Sequence, residues 1–140
     1  KRHLGVASRG CWSATGDTIA ATNLEGIVLL DTSAETISVI PALPLEDHVN
    51  KIDWCPEIAG LFYDLSTAHR IYKYSFAEGK HIELATSAAY PSVSPDGKQI
   101  VFLRHSISWF SPQNGQLFVM DADGGNKHQI TFSEGGDSLR

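Results

Sequence analysis

Pro91-Ser92-Val93-Ser94-Pro95-Asp96-Gly97-Lys98-Gln99-Ile100-Val101-Phe102-Leu103-Arg104 is the stretch on which the reading of this chain turns. Pro95-Asp96-Gly97 marks a tight turn: proline presets φ at its own position, and glycine takes the positive φ that closes a hairpin. On one side Pro91–Ser94 reads as a short strand A. On the other, Ile100–Arg104 is a compact β-branched and aromatic run, strand B. Further on, Gln116–Asp121 supplies strand C, Ala122–Asn126 a second turn, and His128–Phe132 a strand D with period-two alternation. Four short strands in succession make one unit.

The same unit occurs twice upstream. One copy runs Arg9–Ser13, Thr18–Thr22, Ile27–Asp31 and Thr36–Ile40; the other runs Lys51–Cys55, Leu61–Leu65, Ile71–Ser75 and His81–Thr86. Each begins with an apolar anchor followed seven residues later by the start of strand B: Trp12 then Ile19, Trp54 then Leu61, Val93 then Ile100. The anchors lie 42 and 39 residues apart. That period, with four strands per repeat, is the signature of a β-propeller blade. Gly16 and Gly97 both follow their anchors by four residues, so the A–B turn is expected to be the same device twice. In the middle copy the glycine, Gly60, comes six after Trp54, which predicts a differently shaped turn and a bulge over 56–60.

Pro91-Ser92-Val93-Ser94-Pro95-Asp96-Gly97, then Ile100-Val101-Phe102, then Val119-Met120-Asp121-Ala122-Asp123-Gly124-Gly125-Asn126 together resemble the TolB-type propeller repeat, a WD40-like or PD40 repeat. The match is specific over Pro91 to Thr131 and looser in the two earlier copies, which keep Trp12-Ser13 and Trp54 but lose the Pro-Asp-Gly turn. The resemblance implies a propeller, six-bladed in TolB itself, whose family role is to bind other proteins rather than to catalyse. It also implies a periplasmic or extracytoplasmic setting, which nothing else in the sequence addresses.

The expected fold class is therefore all-β: a propeller segment of about three four-stranded blades, part of a larger ring of the six-bladed type. The blades divide as 9–48, 49–88 and 89–132, with 1–8 the end of a preceding blade or a linker and 133–140 a linker to a following one. Three blades alone leave two exposed sheet faces, and a closed ring needs about four to eight blades. Remaining blades of the same propeller, or self-association of three-bladed copies into a six-bladed ring, are expected to cover them.

Composition sets the outer limits. Hydrophobic residues make up 42% of the 140, enough for a packed core, and no helical period runs for any length. No apolar run is long enough for a membrane-spanning helix, so direct membrane insertion is not expected. Net charge is −5 and dispersed; Lys1-Arg2-His3 is the one basic cluster, which argues against a nucleic-acid surface.

Motifs that carry chemistry are absent where they would have to be. Asp121-Ala122-Asp123-Gly124-Gly125-Asn126 begins like a calcium loop, but the fifth and twelfth positions hold Gly125 and Phe132, so it reads as a turn. Gly124-Gly125 and Gly135-Gly136 lack the lysine and following helix of a phosphate loop. The histidines at 3, 48, 69, 81, 105 and 128 have no metal-ligand spacing. There is no Gly-x-Ser-x-Gly elbow. Cys11 and Cys55 flank the tryptophan anchors on strands A and read as two free, small apolar residues facing away from the anchors. Asp53 reads as a hydrogen-bonded strand residue. No cofactor, metal or catalytic residue is expected.

The feature that points to function is the third B–C connection. The first two copies join strands B and C through about four and five residues, whereas the third has His105-Ser106-Ile107-Ser108-Trp109-Phe110-Ser111-Pro112-Gln113-Asn114-Gly115. Loops on a rigid scaffold are where binding concentrates, and Trp and Phe are interface anchors. His105, Trp109 and Phe110 are accordingly the candidate protein-interaction residues. The expected function is a non-catalytic scaffold for a protein or peptide partner. The rival is a substrate-gating propeller of a prolyl-oligopeptidase-like or tricorn-type serine peptidase with its catalytic domain elsewhere, or the sensory propeller of a regulator. Lack of catalytic motifs fits all three, and the closeness of the repeat favours the first.

Overall fold

The computed structural model describes residues 9–13, 15–23, 26–33, 35–40, 43, 47–55, 60–105 and 115–132. They form twelve strands in three antiparallel four-stranded sheets, each in simple sequence order. Blade 1 holds β1 (Arg9–Trp12), β2 (Thr18–Asn23), β3 (Gly26–Asp31) and β4 (Thr36–Val39). Blade 2 holds β5 (Val49–Cys55), β6 (Gly60–Leu65), β7 (Arg70–Ser75) and β8 (Lys80–Thr86). Blade 3 holds β9 (Ala88–Val93), β10 (Gln99–His105), β11 (Gly115–Asp121) and β12 (His128–Gln129). This is an all-β propeller segment, with no helix among the described residues.

The A–B turn of blades 1 and 3 is the same structure down to its hydrogen bonds. Ser13 N–H donates to Thr18 O at 2.9 Å and Ser94 N–H to Gln99 O at 2.8 Å; Gly16 and Gly97 adopt φ of 75° and 74°. In both, the serine hydroxyl accepts from the amide five residues on, Thr18 at 3.2 Å and Gln99 at 3.0 Å. Each turn is then buttressed by its own carboxylate. Asp17 accepts from Thr15, Thr18 and Ser13, and Asp96 from Ser94 and the Lys98 amide. These bonds hold both carboxyls below the usual carboxylate range. At the C–D turns the last residue of strand C plays the equivalent part: Asp31 N–H donates to Glu35 O, Asp121 N–H to Gly125 O, and Ser75 O accepts from Gly79 N–H.

Because side chains alternate along a strand, each blade has a front and a back. The back of blade 1, with Ala20, Ile27 and Leu29, meets the front of blade 2, with Leu61, Tyr63, Leu65, Tyr72 and Tyr74. The back of blade 2, with Phe62 and Ile71, meets the front of blade 3, with Ile100, Phe102 and Met120. Blade 2 is thus covered on both sides, and every residue of β6 is buried. That is why Leu61-Phe62-Tyr63 reads as a continuous apolar run rather than an alternating one. The buried Tyr63 hydroxyl is within 2.7 Å of His81 Nδ1, the partner a buried phenol needs.

Three expectations need correction. Strand D of blade 3 spans two residues rather than five; beyond Gln129 the chain leaves the ladder, and the amides of Ile130 and Thr131 both converge on Leu117 O. Strand A of blade 3 begins at Ala88, not Pro91, because Ser87 at φ 50° turns the chain directly from β8 into β9. Trp12 is no core anchor: it is 59% exposed. Its counterpart Trp54 packs on blade 1 and stacks on Phe76 at 5.6 Å, whereas the front of blade 1, where Trp12 sits, meets no described blade. The bulge expected over 56–60 falls largely outside the described residues, and Gly60 itself is a regular ladder residue paired with Cys55. Register shifts occur instead between Val49 and Lys51 and between Ile71 and Tyr72.

Candidate functional site

At one end of the blades, strands A start, strands B finish, strands C start and strands D finish. Between blades 2 and 3 this end holds a cavity of about 90 Å³ lined by Asn50, Asp64, Leu65, Ser66, His69, Ala89 and Tyr90. Its organiser is Asp64, the one charged residue in β6 and fully buried. Burying a carboxylate is costly unless its oxygens are hydrogen-bonded, and here they are. Oδ1 accepts from the Lys51 amide at 2.8 Å; Oδ2 accepts from Asn50 Nδ2 at 3.1 Å and from the Tyr90 amide at 2.9 Å.

Two further contacts stitch the same seam along the innermost strands. Asp53 Oδ2 accepts from the Val93 amide at 3.0 Å, and Lys51 Nζ donates to Pro91 O. Strand A has an unpaired inner edge, and side chains from the preceding blade satisfy it. Pro91 suits such an edge because it has no N–H to satisfy. Asp53 is thus the hydrogen-bonded strand residue expected of it.

Backbone strain gathers at this end. Of the non-glycine residues with positive φ, His69 (53°), Ser87 (50°) and Tyr90 (56°) all lie here. An aromatic residue rarely adopts that conformation, and such strain concentrates where function needs a particular side-chain placement. The Asp64 bond to its amide helps to hold Tyr90 there, leaving Tyr90 54% exposed beside the cavity. Nearby, the Arg104 guanidinium lies over the Phe102 and Phe118 rings, 5.4 and 5.1 Å from their centroids, and Nη2 donates to Thr86 O at 3.0 Å.

The sequence-predicted residues bear on the same end. His105 closes β10 and pairs with Gly115, so the long B–C connection of blade 3 leaves from the end that carries the cavity. Trp109 and Phe110 lie outside the described residues. Asp64, His69 and Tyr90 were not anticipated as site residues. Asp64 had a visible signal, a lone carboxylate in an apolar strand; the positive φ of Tyr90 had none.

The remaining candidates are structural. Cys11 is free and half-buried, packed on the blade 2 side of β1, away from Trp12 as expected. Its thiol is pushed up to about 12 by burial and then by the Asp53 carboxylate. Asp121–Asn126 forms a turn, with Asn126 Nδ2 donating to Asp121 Oδ2 at 2.6 Å. No group of three or more His, Cys, Asp or Glu residues able to hold a metal is found among the described residues.

Three packed four-stranded sheets with A-to-D order define the class: a β-propeller segment. Comparison with solved structures gives the same class. A structure described as TolB from Agrobacterium tumefaciens superposes at a TM-score of 0.73 and 19% identity, covering 92% of this chain and 50% of that one. A nidogen/laminin complex chain gives 0.69 at 14% identity, over 89% and 47%. The dihydro-heme d1 dehydrogenase NirN gives 0.68 at 20% identity, over 91% and 28%. The chain thus spans about half the length or less of these proteins and shares their fold, including the TolB-like one that its repeat resembles. No family model matches the sequence. No curated protein matches it either.

Proposed function

We propose that this chain is a non-catalytic protein-interaction scaffold of the TolB-like propeller type, and that it engages a protein or peptide through the end carrying the B–C connections. The observation that carries this reading is Tyr90: a bulky aromatic residue held in a strained conformation by a buried carboxylate, half exposed at the rim of a cavity. A rigid, amphipathic aromatic presented this way is the kind of side chain that anchors protein interfaces. His105, Trp109 and Phe110, on the long connection that follows β10, are proposed as further contact residues.

Site-specific photocrosslinking tests it. A photoreactive residue at position 90 or 109 is expected to capture a protein partner that the same residue at Lys80, at the opposite end of the blades, does not. That partner, once purified, should bind Trp109→Ala/Phe110→Ala or Tyr90→Ala about tenfold or more weakly, with unchanged unfolding midpoints. Capture confined to position 80, or binding indifferent to these substitutions, would overturn the assignment.

A further inference from the structure

Among the described residues, the Nε of Arg104 is the only buried side-chain nitrogen or oxygen without a hydrogen-bond partner. Native structures seldom leave such a donor unsatisfied, because losing its water without gaining an acceptor costs free energy. The group is nevertheless held in place: the guanidinium lies over the Phe102 and Phe118 rings, and Nη2 donates to Thr86 O at 3.0 Å. That bond leaves N–H groups unused on the η nitrogens, at the end of the side chain that reaches solvent. The charge is unanswered as well. The ion pairs among the described residues join Arg70 to Glu83 and Lys80 to Glu78. Asp64, the buried carboxylate of the same seam, directs its oxygens to the Lys51 and Tyr90 amides and to Asn50.

We propose that Arg104 receives a carboxylate side chain of the partner. The inference rests on the interaction reading above and adds to it the chemistry of the segment that docks. Arg104 pairs with Ala88 in the ladder between β9 and β10, two residues from Tyr90, so a guanidinium and a presented aromatic ring stand at the same end of one seam. Arg and Tyr are among the side chains most enriched where binding energy concentrates. A guanidinium already partly stripped of water and fixed on two rings loses little hydration or freedom when a carboxylate arrives, and its planar fork matches the two oxygens. The chain's own net charge of −5 sets the limit: a strongly acidic partner is repelled overall, so the site suits a single Asp or Glu within an otherwise neutral segment.

Two measurements test it. Acetyl-Phe-Glu-amide, titrated into the isotope-labelled chain, is expected to shift the Arg104 side-chain N–H resonances with saturation at about millimolar concentration, while acetyl-Phe-Gln-amide leaves them in place. Those resonances are recognised by their absence from Arg104→Met. The partner captured through position 90 should bind Arg104→Met about tenfold more weakly, and added salt should weaken its binding to that variant less than to the parent. Methionine keeps an apolar stem over the two rings and removes a buried donor without an acceptor, so the unfolding midpoint should hold or rise. Titrations that do not distinguish Glu from Gln overturn the proposal, as does a marked fall in the midpoint, which would make Arg104 a packing residue. Capture at position 90 with an affinity indifferent to Arg104→Met overturns the carboxylate site and leaves the interaction reading standing. A Glu-selective shift without any capture at position 90 does the reverse.

Discussion

The Asp64 carboxylate accepts the backbone N–H of Tyr90 at 2.9 Å, joining the fully buried strand β6 of blade 2 to the start of strand β9 in blade 3. With Lys51 N and Asn50 Nδ2 on the same carboxylate, one side chain satisfies donors from two blades. The fixed end geometry of the seam depends on it.

Asp64→Ala should therefore be among the most damaging single changes in the chain. It leaves the Lys51 and Tyr90 amides without their carboxylate, and the cost should be about 3 kcal/mol, read as a lower urea midpoint. A loss below about 1 kcal/mol would show that water replaces the carboxylate at no great penalty.

Tyr90→Gly should behave oppositely. The side chain is half exposed, and glycine adopts φ near 56° without strain, so stability should hold or rise by up to about 1 kcal/mol. Partner binding at this end should fall at the same time. A marked destabilisation would mean that Tyr90 is a packing residue rather than a presented one.

Gly16→Ala tests backbone strain with little else in play. A Cβ at this position meets nothing within 4 Å, yet φ is 75°. The expected loss is about 1 kcal/mol, from conformation alone. Equal stability of the two proteins would show that the turn relaxes.

Cys11 should resist alkylation. With its pKa pushed up to about 12, the thiolate fraction at pH 8 is about one part in ten thousand. Iodoacetamide followed by peptide mapping should leave Cys11 unmodified in the native protein and label it in urea. Because the folded value is raised, the thiol's contribution to stability is complete below about pH 9 and is lost as pH rises towards 12.

Acid should loosen the hold of the segment entering β5 on the turn between β6 and β7. Partial burial raises the Asp47 pKa, but bonds from the Ala68 and His48 amides and from Thr67 outweigh it and leave it below 3.8. Its folded value is depressed, so its contribution is present above about pH 4 and fades below it. Asp47→Asn should flatten that acid limb of the stability curve; an unchanged limb would assign the acid sensitivity to other carboxylates.

Much of this architecture was readable in one dimension. Strand-forming runs at a fixed period, and glycines placed four residues after Trp12 and Val93, are local preferences of the chain, and neighbouring residues suffice to express them. The matching hydrogen bonds at Ser13 and Ser94 follow from that local chemistry. Local pattern misjudged Trp12 and the end of strand D, because burial of a side chain depends on what packs against it from elsewhere.

The sequence by itself thus determined the repeat, the strands and the turns that punctuate them, since period-two alternation and turn residues act within a few positions of one another. Only the tertiary structure decided which face of each blade is covered, that Asp64 and Tyr90 meet across a seam, and that Trp12 stands open where its counterpart Trp54 is packed. Those outcomes rest on contacts between residues about 26 or more positions apart. Hydrophobic burial and the satisfaction of buried polar groups are fixed only when distant segments pack together.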